Sequence, residues 1–101
     1  MPSPSRRRLR QAFGAVVRDL RIQAGFTQED LSFRAKVHRT YVGDLERGLK
    51  SPTLDIVDAL ATALGLDLEQ LVARTARLRD GTARDAPGAA GRQRVRKRTP
   101  K

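Results

Sequence analysis

Between Phe26 and Gly48 the chain reads FTQEDLSFRAKVHRTYVGDLERG, and this stretch constrains the fold more than any other. Leu31 and Ala35 recur at helical spacing, and so do Val42 and Leu45. Only Lys36, Val37 and His38 separate the two runs. Thr27 is a good N-cap, and Asp30 lies three residues on, where a capping box places its acid. Gly48 sits where a left-handed C-cap residue is wanted. The stretch therefore predicts two short helices, 28–35 and 39–47, joined by a tight turn. Ser32 is small enough to let the second helix cross the first closely.

The flanks supply what two such helices need to bury their apolar faces. Leu9, Phe13, Val16, Val17 and Leu20 recur at helical spacing ahead of Gly25, which predicts a helix over 9–24. Thr53 caps a further helix over 54–64, with Ile56, Val57, Leu60, Ala61 and Leu64 apolar and Gly65 as its stop. Asp67 caps a fifth helix from Leu68 to about Arg79, with Leu68, Leu71, Val72 and Leu78 on its apolar side. No strand alternation and no internal repeat is visible. The prediction is a compact all-α, five-helix domain over 9–80, with a loose basic arm at 1–8 and a disordered basic tail at 81–101.

Charge distinguishes the domain from its ends. The net charge is +10. Four arginines fall within residues 1–10, and six basic residues fall within 92–101. The other 11 of the 21 basic residues balance the 11 acidic ones, so the excess sits in the two tails. Such runs are either solvated tails or arms for nucleic acid. Neither offers an apolar face for a membrane surface. The chain has no cysteine and one histidine, so neither disulfides nor a metal site is expected. No apolar run is long enough for a membrane span or a secretory signal, so a cytoplasmic protein is the expectation. No nucleophile motif, phosphate-binding glycine loop or paired acid and base appears, so neither an enzyme nor a cofactor is expected.

The apolar spacing across Gln28–Leu45 is that of a helix-turn-helix, whose second helix stands off the domain. Here the chain resembles the Cro/repressor-type, or xenobiotic-response-element, helix-turn-helix regulators. LRIQAGFTQEDL, HRTYVGDLERG and SPTLDIVDALATALGL match that family's habits in order, and the resemblance covers about Phe13 to Val72. VHRTYVGDLERG looks most like the controller proteins of restriction–modification systems and small phage-type repressors. The resemblance implies a lambda-repressor-like fold and double-stranded DNA as partner. One departure is Lys36, which stands where the family usually has glycine. A positive φ there would cost a lysine roughly 1 kcal/mol relative to glycine.

A recognition helix of this kind points its N-terminal residues at base edges in the major groove. Those residues are Arg39, Thr40 and Tyr41, with Asp44 one turn later. Arg39 can give two hydrogen bonds to guanine, Thr40 can bond or touch a thymine methyl, and Asp44 can accept from cytosine. Tyr41 either joins them or packs on the helix before it. The resemblance makes Gln28 a clamp on the DNA backbone at a helix N-terminus that favours anions. Thr27, Lys36, Arg47 and Lys50 are its expected phosphate-binding neighbours. His38 reads as an N-cap or a phosphate neighbour. The resemblance also makes Arg21 and Glu46 a structural ion pair. Leu68, Leu71 and Val72 are the expected homodimer face, unless they only complete the monomer core.

The function expected is a sequence-specific DNA-binding transcription regulator, a repressor or autoregulator that binds a two-fold operator as a dimer. An antitoxin with the same DNA-binding domain and a toxin protein as partner is a second reading, although the tail after Asp80 lacks apolar anchors. A non-specific or RNA-binding adaptor is a third, although neither tail carries an aromatic residue for stacking.

Overall fold

A computed structural model of the chain describes residues 3–84. They form five helices: α1 (Pro4–Gln23), α2 (Gln28–Ala35), α3 (Arg39–Glu46), α4 (Leu54–Ala63) and α5 (Leu68–Arg84). Among the described residues there is no strand. Each helix begins on a side-chain or geometric cap readable in the sequence, except that α1 begins earlier than its apolar stripe. Ser3 accepts a hydrogen bond from the Arg6 amide at 3.2 Å, and Pro4 occupies the first helical position. Proline suits that position because its missing N–H would be unpaired there in any case. Residues 4–8 are therefore helical, which corrects the expectation of a loose arm over 1–8. At the other end α5 continues to Arg84, past the limit expected near Arg79. The rest of the predicted basic tail, 85–101, lies outside the described residues.

Thr27 and Asp30 form the expected capping box, each bonding the other's backbone N–H at 3.0 and 2.9 Å. Asp67 and Gln70 form the same reciprocal pair at the start of α5, both bonds being 2.9 Å. Lys36 ends α2 with φ 60° and ψ 46°, the left-handed region. The backbone requirement that glycine usually meets is thus present, and a lysine meets it. Gly48 closes α3 at φ 76°, with the Leu49 amide bonded back to the Asp44 carbonyl at 2.9 Å.

The core is Phe13, Val16, Val17, Leu31, Ala35, Val42, Leu45, Val57, Leu60, Ala61 and Leu71. Every helix contributes to it. α1 packs on α3 and α5, α2 on α3 and α4, and α4 on α5. Ser32 is buried, and its hydroxyl is satisfied by the Glu29 carbonyl at 2.7 Å. Isolated helices of eight residues are marginal in water, so α2 and α3 owe their stability to this shared core. Leu9 and Leu78, part of the predicted apolar stripes, lie largely at the surface. No helix among the described residues is long and apolar enough to cross a membrane.

Candidate nucleic-acid interface

α3 buries Val42, Gly43 and Leu45. Its opposite face leaves Arg39 and Thr40 exposed at the first turn. His38 is the N-cap residue, and its side chain makes no capping bond. The start of α3 is thus held by the apolar residues behind it, leaving Arg39 and Thr40 free to meet a ligand.

The N-terminus of α2 lies across the middle of α3. The side-chain oxygen of Gln28 lies 3.5 Å from where a Cβ on Gly43 would stand. Its amide nitrogen donates to Glu46 Oε1 at 3.1 Å. Glu46 is nearly buried, with 3% of its side chain exposed, and takes two further bonds from Arg21: Nε to Oε2 at 2.7 Å and Nη2 to Oε1 at 3.1 Å. Arg21 also donates to the Phe26 carbonyl at 2.7 Å. The hydrogen bonds to Glu46 raise the Arg21 pKa against the opposing effect of burial. The predicted ion pair is present. It is also joined to Gln28, so one carboxylate links α1, α2 and α3. Nothing in the spacing of the sequence announced that third partner.

Thr27 spends its hydroxyl on the Asp30 amide as acceptor. Lys36 and Lys50 are exposed. Arg47 is exposed and bonds Asp44 at 2.7 Å. Asp44 Oδ1 is therefore engaged by Arg47, while the carboxylate keeps acceptor capacity on its second oxygen. Tyr41 is half-buried against the core, and burial raises its hydroxyl pKa. Its packing on the core limits what it can offer to a ligand. Of the predicted site residues, the structure joins Asp44 to Arg47 directly, and it sets Gln28 against α3 at Gly43 and Glu46.

The expected dimer residues separate. Leu71 is fully buried in the monomer core, which removes it from any dimer face. Leu68 is half-buried, and Val72 is 47% exposed. The sequence placed all three on one stripe because helical spacing alone cannot tell the centre of a buried stripe from its edge.

Gly14 was not singled out by the sequence. A Cβ there would collide with the Leu45 carbonyl oxygen and stand 2.7 Å from the Glu46 carbonyl oxygen. Its hydrogen side chain allows α1 to lie directly on the end of α3.

A profile of the helix-turn-helix family matches residues 17–71. The control protein C.BamHI of Bacillus amyloliquefaciens is 37% identical over 65 residues, which is 63% of this chain and 80% of that protein. The crystal structure of the restriction-modification controller protein C.AhdI from Aeromonas hydrophila is similar with a TM-score of 0.60 at 39% identity, covering 61% of this chain and 94% of that one. The controller protein C.Esp1396I, solved as a tetramer in complex with its natural 35-base-pair operator, has a TM-score of 0.58 at 25% identity, over 67% of this chain and 95% of its own.

Proposed function

From the premise that this chain belongs to the helix-turn-helix family and is a DNA-binding transcription regulator, we propose that it binds a two-fold operator as a homodimer and acts there as a repressor or autoregulator. The observation that carries the reading is the exposed first turn of α3, Arg39 and Thr40, together with the Gln28 amide that the start of α2 sets against Gly43 and Glu46 of the same helix. A helix entering the major groove in this way meets base edges with its first turn. Arg39 reads guanine through its planar fork, and Thr40 reads beside it. Tyr41 contributes beside them, and Asp44 accepts through the oxygen that Arg47 does not hold. Gln28 has a second amide hydrogen beyond the one given to Glu46, and that hydrogen holds a phosphate. Thr27, Lys36, Arg47 and Lys50 hold others and set the register without reading sequence.

One eight-residue recognition helix reads too few base pairs for useful specificity, which favours two copies on one site. The assembly of C.Esp1396I on its operator supports that reading. The dimer face is the exposed edge of α5 at Leu68 and Val72. The controller relatives favour the regulator over the antitoxin reading.

Footprinting of the DNA upstream of the chain's own gene, with the mass of the free protein measured at the same concentration, tests the proposal. The expected result is a dimer protecting two symmetric half-sites roughly 10 base pairs apart centre to centre. A monomer that protects a single asymmetric site would overturn it.

A further inference from the structure

We propose that the first two turns of α1 are a second, rigid phosphate-binding surface that continues the DNA face beyond the end of α3; the inference rests on the DNA-binding reading above. Arg6, Arg7 and Arg8 are exposed on this helical segment. The first acidic residue of the chain is Asp19, so nothing along these turns offsets them. None of the three forms an ion pair among the described residues. Their placement is unfavourable within the chain itself. Cations at a helix N-terminus oppose the helix dipole, and Arg6 stands four residues from Arg10, where like charges repel. No ion pair of these three arginines offsets that repulsion among the described residues. A polyanion would.

The position of these turns identifies the anion. Gln11 packs on Gly48, the residue that ends α3: a Cβ on Gly48 would lie 2.9 Å from Gln11 Cγ and 3.2 Å from its Cα. Leu9 and Arg10 share one groove with Ser51 and Pro52 of the loop that follows and with Val72, Thr75 and Arg79 of α5. The start of α1 is therefore anchored beside the segment carrying Arg47 and Lys50. Arg7 and Arg8 precede Gln11 by four and three residues, so they stand one turn further along the same face. Seven helical residues ahead of Gln11 span about 10 Å, enough to pass more than one phosphate along a strand. Because Ser3 and Pro4 hold the segment as helix, the arginines are presented in fixed positions and not on a loose arm.

The test uses the full chain and a random-sequence 40-base-pair duplex, with binding followed across salt concentrations. Replacing Arg6, Arg7 and Arg8 together by alanine keeps the helix, since alanine is the stronger helix former. The expected result is that the slope of log K against log salt falls by about 2 to 3, while the all-lysine counterpart keeps the parent slope. Arg8→Pro, which unwinds the first turn, lowers the slope further than Arg8→Ala does. An unchanged slope in the triple alanine variant overturns the proposal, and equal slopes for the two Arg8 variants overturn the rigid presentation. A triple variant that keeps its slope on DNA but loses binding to phosphatidylserine vesicles also overturns it, assigning the surface to a membrane. If the parent chain itself shows no salt-dependent duplex binding, the failure belongs to the DNA-binding reading.

Discussion

The guanidinium of Arg21 faces the carboxylate of Glu46 through two hydrogen bonds, at 2.7 and 3.1 Å, across the junction of α1 and α3. With so little of either side chain exposed, the pair is worth far more when intact than when one member is missing. Arg21→Leu leaves Glu46 charged and almost buried, and should lower the unfolding free energy by about 3 kcal/mol. The double variant with Glu46→Leu removes the stranded charge and should recover much of that loss. Urea midpoints for the parent, both single variants and the double variant check this. Equal stability for Arg21→Leu and the parent would remove the pair from the account of the fold.

The capping box at the start of α2 predicts a pH dependence. The bonds from the backbone and side chain of Thr27 hold the Asp30 carboxyl below its usual pKa. A carboxylate whose folded pKa lies below its unfolded value adds stability that is present above the unfolded pKa and is lost as pH falls through the folded one. Asp30 therefore favours folding at neutral pH, and its contribution fades across and below the ordinary carboxylate range. Asp30→Ala should lower stability at pH 7 and flatten the acid limb. Thermal melts between pH 2 and pH 7 would show both effects, and an acid limb identical to the parent's would refute the assignment.

Lys36 sets stability against binding. Its φ of 60° is costly for a lysine and easy for a glycine. Lys36→Gly should stabilise the fold by about 0.5 kcal/mol, because relief of the αL strain exceeds the greater chain entropy that glycine gives the unfolded state. The same change removes an expected phosphate contact, so the salt slope of DNA binding should fall by about 1. Loss of stability in this variant would mean that the lysine side chain supports the turn in some other way.

Leu71 and Val72 are neighbours in sequence with opposite expected effects. Leu71→Ala opens a cavity at a fully buried site and should cost about 2–5 kcal/mol. Val72→Asp places a charge on the exposed edge of α5 and should leave the monomer folded while weakening the dimer. Sedimentation of the Val72→Asp protein beside its circular dichroism melt separates the two outcomes. An unaltered dimer would move the interface away from α5.

Arg39 and Gln28 should differ in kind. Arg39→Ala should cost about 1–3 kcal/mol on the operator and relax preference at one base pair in each half-site. Gln28→Ala should weaken operator and random DNA by a similar factor, because the phosphate contact proposed for it is common to every sequence. The ratio of the two affinities at one fixed salt concentration decides. If Gln28→Ala collapses the ratio and Arg39→Ala leaves it intact, the roles assigned to α2 and α3 are reversed.

The number, order and approximate limits of the helices followed from local chemistry: apolar residues at helical spacing, caps at Thr27, Thr53 and Asp67, and glycine stops. These signals act within one or two turns, so a linear reading captures them. Ser3 and Pro4 were also a legible helix start, but an arginine-rich composition read as an arm hid it. The relations between helices were not local. That Leu71 lies at the centre of the core and Val72 at its edge depends on where α4 and α1 lie against α5. That Gln28 donates to Glu46, and that Gly14 must lack a side chain for α1 to meet α3, depends on groups brought together from distant positions. The chemistry of the residues on α2 and α3, and their place in the helix-turn-helix pattern, were legible from the chain alone. Which of them are already engaged depended on packing, because α2 against α3 brings the Gln28 amide to the nearly buried Glu46 carboxylate and the helical spacing at the end of α3 sets Arg47 on Asp44.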